Sequence, residues 1–289
     1  MSRSSWIAFV VLCVLSATSW VIPHGEELPV LEQQGIRYAV IGLIALLLGG
    51  SKEWSWGPAL DLGLVSVGFF GVPVAIVEWT QGSVSEISRS ALFAIVPVVV
   101  VMAIAAGDDE RGVRRFLVPA LAGLGGLLLL LPMGLSGTFL GRLMLGLVCA
   151  AVVLVGLSSV WLYRLLRGVA LTQAVAAVCL ANAAFLLVCS AVSRDFVWSG
   201  SGLDSVISIG SLVDAVEVVL IVWLLQEMPP VRFAARCLVI PLLTILESYI
   251  VVRPGVTVRI ACGTVLLAAG AGLLLFLNAG EEETMLSLR

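Results

Sequence analysis

One apolar stretch, residues 83–110, limits what this chain can fold into more than any other part of it. It reads SVSEISRSALFAIVPVVVVMAIAAGDDE, with Pro97 near its middle and acidic residues at its end. A helix of about this length can cross a hydrocarbon core roughly 30 Å thick. Proline removes a backbone donor, which a membrane helix tolerates where neighbouring helices or a cavity satisfy the freed carbonyl. The stretch therefore predicts a membrane-spanning helix that faces the protein interior.

A second stretch, residues 232–253, repeats this arrangement with Pro241 in the role of Pro97, a shift of 144 residues. At the same shift Trp79 returns as Trp223. A repeat of this kind determines the whole architecture, so it has to be identified before individual elements are assigned. The chain is predicted to consist of two copies of one unit, residues 1–135 and 136–289.

The composition places the chain in a membrane. Hydrophobic residues make up 60% of it and charged residues 12%, whereas soluble domains usually carry about 25% charged residues. The net charge of -3 is divided among short loops and gives no indication of a nucleic-acid partner. The lipid bilayer is therefore the predicted environment, and nucleic acid is not a predicted partner.

The apolar stretches give ten predicted spans, five in each unit. They lie near residues 1–20, 38–50, 60–80, 83–110, 116–131, 143–163, 170–192, 203–226, 231–252 and 258–277. The first could instead be a secretory signal, but the second unit has an equivalent helix, which favours a retained span. An odd number of spans per unit forces the two copies to insert in opposite orientations. We therefore predict an all-α polytopic membrane protein with ten transmembrane helices arranged as two inverted five-helix repeats.

The basic residues indicate the orientation. With the amino terminus in the cytoplasm, ten basic residues fall on the inner side and six on the outer side, and Arg37 and Arg89 count among the outer six. Cytoplasmic loops carry the excess of basic residues in most membrane proteins. Both termini are predicted to be cytoplasmic. Arg37 is placed in the polar connection after the first span.

Small and polar residues inside the spans predict contacts between helices. Ala122 and Gly126 in the fifth span, and Ala268 and Gly272 in the tenth, are four residues apart, a spacing that lets helix backbones approach closely. Asn182 in the seventh span is predicted to form an interhelical hydrogen bond.

The residues from Val96 to Pro132, VPVVVVMAIAAGDDERGVRRFLVPALAGLGGLLLLLP, resemble the drug/metabolite transporter superfamily, specifically its EamA-type branch. The resemblance rests on a mid-helix proline, Pro97, an acidic residue thirteen positions later, Glu110, and a glycine-rich helix after them. In the second half Pro241 fits, whereas Pro254 stands where the acidic residue is expected. The resemblance implies ten helices in two homologous halves. It also implies secondary transport, usually export, of small metabolites through a cavity between the halves, at the bacterial inner membrane.

Several other classes are excluded. The single lysine, Lys52, lies between spans, so a retinal Schiff base inside a helix is not available. The sequence contains no GxxxxGK[ST] loop for ATP. The six cysteines show no zinc-ligand spacing. We predict that the protein is not an enzyme and that it uses no cofactor and no metal.

Charged residues within the spans are the candidate site. Burying a charge at membrane depth is costly, so such residues usually face a cavity or a partner. The predicted substrate- or proton-binding residues are Asp214, Glu217, Glu247, Arg89 and Glu78. Asp214 and Glu217 lie three apart on one helical face. They would bind a proton or a cationic group, with Arg89 or Arg236 holding an anionic one. The alternative is that these residues form ion pairs that fix helix register, with Arg236 approaching Glu217.

The sequence thus favours a secondary transporter, an exporter of a small metabolite across the plasma membrane, with proton exchange as its candidate driving force. The alternative from another class is a non-transporting membrane protein, either an interaction partner or an enzyme that acts on lipid.

Overall fold

The computed structural model describes residues 2–19, 28–49, 56–106, 110–131, 138–193, 208–251 and 257–277. Within these ranges the protein is all-α and forms ten helices. They are α1 (Arg3–Thr18), α2 (Val30–Gly49), α3 (56–79), α4 (86–105), α5 (Glu110–Leu130), α6 (Phe139–Leu165), α7 (Leu171–Ser193), α8 (Ile209–Glu227), α9 (Pro230–Val251) and α10 (Val258–Phe276).

Six of the described helices are long and apolar enough to cross a membrane: α2, α3 over Gly57–Trp79, α6, α7, α9 and α10. Three further apolar segments in α1, α4 and α5 are shorter. Many of the most exposed side chains are large and apolar, such as Leu47, Leu64 and Phe276 at 81%, 73% and 74% exposure. Exposed apolar surface on this scale suits contact with lipid tails rather than water. The described helices indicate a multi-pass membrane protein.

Local capping explains where several helices begin. Ser2, Ser85, Thr138, Ser208 and Thr257 each accept a hydrogen bond from the backbone amide three residues later. Such a side chain satisfies one of the amides that a helix start leaves without an internal partner. These caps define the starts of α1, α4, α6, α8 and α10.

Two boundaries differ from the prediction. Helix α2 begins at Val30, eight residues before the predicted Tyr38, so Arg37 lies inside the helix and not in a connection. Helix α5 begins at Glu110, a residue predicted to lie at the end of the fourth span. Asp108 and Asp109 lie outside the described residues.

Helices α2 and α7 form one of the two most extensive helix contacts. A Cβ atom added to Gly35 or Gly42 would lie 2.9 Å from the side chain of Leu187 or Leu180, and one on Gly49 would lie 3.1 Å from Thr172. The residue numbers of these contacting pairs increase along α2 and decrease along α7, so the two helices run antiparallel. The seven-residue spacing of these glycines keeps one face of α2 against α7.

Helices α5 and α10 form the other extensive contact, and it also rests on glycine. A Cβ on Gly126 would lie 2.5 Å from the amide nitrogen of Leu267, and one on Gly270 would lie 2.4 Å from the amide nitrogen of Gly123. The backbones therefore touch directly, and the helices are again antiparallel. The predicted contact at Gly126 is confirmed. The predicted contact at Gly272 is wrong, because a Cβ there would meet nothing within 4 Å.

Further contacts join the two halves of the chain or connect neighbouring helices within one half. Helix α1 packs against α8 and α9, while α6 packs against α3 and α4. Helix α4 contacts α5, and α9 contacts α10. Elements from residues 1–135 and 136–289 are thus interleaved in one bundle with a continuous apolar core.

The two repeated prolines play different local roles. In α4 the chain makes a tight turn at Ala94 and Ile95, and Pro97 then occupies the first turn of the segment that follows. Proline is well suited to a first turn because its missing N–H would have no helical partner there. In α9 the break comes at Ala235, and Pro241 lies inside the continuing helix. The prediction that Pro241 has the same role as Pro97 is therefore wrong at this level of detail.

Candidate functional site

Helix α2 buries an unusual number of polar side chains near its start. Glu32, Gln33 and Arg37 are 1%, 6% and 3% exposed. Removing a charged side chain from water costs several kcal/mol unless a partner of opposite charge compensates it. The position of Arg37 therefore points to a compensating acid on another helix.

That acid is Asp214 on α8. Arg37 Nη1 donates a hydrogen bond to Asp214 Oδ2 at 2.5 Å, and the Asp214 side chain is 22% exposed. Charge-assisted hydrogen bonds of this kind are short and strong. The Nε and Nη2 atoms of Arg37 are buried and have no hydrogen-bond partner among the described residues. The pair joins two helices that are 177 residues apart in sequence.

Glu217 extends the charged cluster along the same helix. It lies one turn beyond Asp214 on α8, and both acids lie within electrostatic range of Tyr38 on α2. Glu217 is also within electrostatic range of Arg236 on α9. Arg37, Asp214, Glu217 and Arg236 thus form one charged cluster on three helices. Their formal charges sum to zero.

A row of aromatic rings runs from Tyr38 on α2 to Arg236 on α9. Tyr38 contacts Phe70 edge-on at 6.2 Å between ring centroids, and Phe70 contacts Phe69 at 4.7 Å. Phe69 lies 6.4 Å from Phe233. The guanidinium of Arg236 sits 4.0 Å from the centroid of the Phe233 ring and 5.1 Å from that of Phe69. Aromatic faces attract cations and stabilise them without neutralising their charge.

Phe69 and Phe70 belong to a π-helical turn, Val67–Gly71, within α3. Single π turns are rare and occur frequently at functional sites. The turn is held against α7 by Asn182, whose Nδ2 donates to Ser66 Oγ at 3.0 Å. A Cβ on Gly71 would lie 2.7 Å from Phe185 and 2.9 Å from Asn182 Oδ1. The predicted interhelical hydrogen bond of Asn182 is therefore confirmed, and it supports the turn that carries the aromatic row.

A cavity of about 360 Å³ adjoins the cluster at Arg236. It lies between α1, α4, α8 and α9, and is therefore formed by both halves of the chain. Its wall consists of Leu12, Ser16, Phe93, Ile221, Arg236, Cys237, Ile240 and Pro241. Pro241 has no N–H, so the carbonyl of Cys237 lacks its usual helical donor.

The other predicted site residues lie elsewhere. Arg89 Nη1 donates to the carbonyl of Val77 at 2.8 Å and so connects the start of α4 to the end of α3. Glu78 Oε2 accepts from Gln81 Nε2 at the end of α3. Glu247 lies near the end of α9. The structure pairs Asp214 with Arg37 and places Glu217 within electrostatic range of Arg236.

The sequence reasoning missed Arg37, Tyr38 and the π turn. One signal could have placed Arg37 inside a helix, namely the seven-residue spacing of Gly35, Gly42 and Gly49, which extends the second span past the predicted start. No pattern in the sequence identifies the partner of Arg37 on α8.

Chemically, a cluster of two cations and two anions can bind a charged ligand by partner exchange. A carboxylate can take the place of Asp214 or Glu217 beside an arginine, and a cationic group can take the place of an arginine beside an acid. Because the net charge is zero, the cluster itself does not favour a strongly charged ligand of either sign.

Comparison with known proteins identifies a solved structure with a similar fold. No family model matches the chain, and no curated protein matches it in sequence. A solved structure described only as "Crystal structure of protein" is similar, with a TM-score of 0.72 and 19% sequence identity. The match covers 96% of this chain and 98% of that chain. The two proteins therefore share a fold over nearly their whole length.

Proposed function

We propose that this protein is a secondary active transporter that exports a small metabolite across the plasma membrane, of the kind implied by its resemblance to EamA-type drug/metabolite transporters. The observation that carries the proposal is the charged cluster of Arg37, Asp214, Glu217 and Arg236. Ionisable residues inside a membrane bundle are costly and mark substrate or ion pathways by default. Here they adjoin a cavity between the two halves of the chain.

We further propose that the bundle is built from two inverted five-helix repeats, residues 1–135 and 136–289. The helix contacts support this arrangement. In two five-helix repeats each helix is equivalent to the one five positions away, so the contact of α1 with α9 should have a counterpart between α6 and α4, and that of α1 with α8 a counterpart between α6 and α3. All four contacts occur. Helices α2 and α7, which would be equivalent, run antiparallel, as do α5 and α10. Inverted repeats require equivalent helices to be antiparallel, whereas parallel repeats would make them parallel.

This architecture predicts that both termini lie in the cytoplasm. Single cysteines introduced at residues 3 and 289 of a variant lacking the native cysteines should be labelled by a membrane-impermeant reagent only after the membrane is permeabilised. A cysteine in the connection between α1 and α2 should be labelled in intact cells. If residues 3 and 289 are accessible from opposite faces, the chain crosses the membrane an odd number of times and the ten-span arrangement fails.

Transport itself is tested with purified protein in proteoliposomes. The panel contains small carboxylates, amino acids, nucleosides and cationic amphiphiles, each measured as saturable uptake or exchange. Saturable flux of one member, absent from protein-free liposomes, is the expected result. If folded protein moves no member of the panel, the non-transporting alternative replaces the proposal.

Proton coupling is tested at the two acids of the cluster. Glu217→Gln and Asp214→Asn are each expected to abolish transport driven by a pH gradient, because each removes a carboxylate that can take up a proton. Asp214→Asn should also lower the stability of the protein, because it leaves the buried Arg37 without its counter-charge. Glu227→Gln, on the exposed end of the same helix, is the matched control and should transport normally. Glu110→Gln should have a smaller effect than either cluster variant. Normal transport by both carboxamide variants with an unchanged pH response would make these acids structural.

A further inference from the structure

The cavity beside Arg236 differs in character from the charged cluster it adjoins. Most of its wall is apolar and is contributed by Leu12 on α1, Phe93 on α4, Ile221 on α8 and Ile240 on α9. These side chains offer contact area to an apolar body but no hydrogen bonds. A ligand that fills the cavity therefore gains most of its affinity from apolar contact.

The polar side chains on the wall are few and all can donate a hydrogen bond. They are the guanidinium of Arg236, the hydroxyl of Ser16 and the thiol of Cys237. Among the residues that the structure describes, no acidic side chain lines the cavity, and Glu217 is within electrostatic range of Arg236. The sign of the charge on the wall is therefore positive.

Arg236 has hydrogen-bonding capacity left. Its Nη1 atom is buried and has no hydrogen-bond partner among the described residues. The rings of Phe233 and Phe69 contact the guanidinium without neutralising its charge. An unsatisfied buried donor is costly, so the guanidinium keeps an unused donor beside the cavity that Arg236 lines.

From these observations we infer that the cavity binds a small apolar carboxylate, with its anionic group on Arg236 and its apolar body against Leu12, Phe93, Ile221 and Ile240. Liquid water occupies about 30 Å³ per molecule, so a cavity of about 360 Å³ holds a ligand of roughly a dozen non-hydrogen atoms. The inference rests on the proposed transport function in one respect, namely that the bound carboxylate is the transported substrate.

Three probes of nearly equal size separate the contribution of the anionic group from that of the apolar body: 3-phenylpropionate, 3-phenylpropan-1-ol and 3-phenylpropylamine. Their binding to the purified full-length protein is measured by calorimetry, and their transport by counterflow in proteoliposomes. The carboxylate should bind about tenfold tighter than the alcohol or the amine, because a hydrogen bond to a charged group adds an increment of this size. Arg236→Gln should reduce carboxylate binding to the level of the alcohol, and Arg236→Lys should retain part of the preference.

The controls keep the test decisive. Arg142→Gln, at an exposed position at the start of α6, should leave all three affinities unchanged. Ser16→Leu fills part of the cavity and should weaken all three probes, so the site remains testable if Arg236→Gln does not fold. Equal or tighter binding of the amine or the alcohol, or carboxylate binding that survives Arg236→Gln unchanged, would overturn the inference. So would binding of palmitate without binding of the short carboxylate, since the occupant would then be a lipid.

The binding and transport measurements distinguish a failure of the binding-site inference from a failure of the proposed transport function. Carboxylate binding at Arg236 without flux supports the binding site and contradicts the transport function. Flux of another panel member without a preference for the carboxylate leaves the transport function intact and overturns the substrate class.

Discussion

Replacing Arg37 by methionine is expected to lower the free energy of unfolding by about 3–5 kcal/mol. The variant leaves the Asp214 carboxylate, 22% exposed, without the guanidinium that compensates its charge. Breaking a buried ion pair on one side is far more damaging than removing the whole pair. The loss should therefore be much larger than that of a typical single substitution, about 1 kcal/mol.

A double-mutant cycle measures this. Denaturation of purified protein in detergent is compared for Arg37→Met, Asp214→Leu and the double variant, with Arg142→Met as the exposed control. The double variant should recover most of the lost stability, because a matched apolar pair of similar volume is often as stable as the ion pair. Transport should stay absent in the double variant if the cluster is the site. Additive losses in the cycle would show that the pair contributes nothing as a pair.

The second large effect is expected at the contact between α5 and α10. Gly270→Ala places a methyl group 2.4 Å from the amide nitrogen of Gly123 and 2.7 Å from the carbonyl oxygen of Pro119. Backbone atoms cannot rotate aside as a flexible side chain can, so the two helices must separate. Overpacking of this kind costs about 1–3 kcal/mol, even though alanine is the better helix former.

Gly272→Ala is the matched comparison, two residues further along the same helix, where the new methyl group meets nothing within 4 Å. It should be neutral or stabilise the protein by up to about 1 kcal/mol, the difference in helix propensity between glycine and alanine. Thermal denaturation of both variants, followed by size-exclusion fluorescence, distinguishes them. Equal midpoints for the two variants would contradict the close backbone packing.

Helix positions were largely predictable, because an apolar stretch of this length has few possible structures other than a membrane-spanning helix. The predicted sixth and seventh spans lie within a few residues of α6 and α7. The start of α2 was not predicted, because Glu32, Gln33 and Arg37 lower the mean hydropathy of this segment and make it resemble a polar connection. Their burial depends on partners elsewhere in the fold, and Asp214 lies 177 residues away.

Packing faces were less predictable than helix positions. The glycine pattern correctly indicated close packing at Gly126. It also indicated a contact at Gly272, whereas Gly263 and Gly270 make the contact on α10. Which face of a helix meets its neighbour depends on crossing angle and rotation, and a four-residue spacing does not determine either. In the candidate site, the sequence identified Asp214 and Glu217 as acids within a span, whereas the arginine that pairs with Asp214 came only from the structure.

The π turn of α3 links helices α2 and α9 through its side chains. Phe69 and Phe70 are consecutive residues on this turn, and their rings contact Phe233 on α9 and Tyr38 on α2, respectively. Neither ring can be turned about the helix axis without the other. Any rotation of this segment therefore changes the contacts of Tyr38 on α2 and of Phe233 and Arg236 on α9 in the same movement.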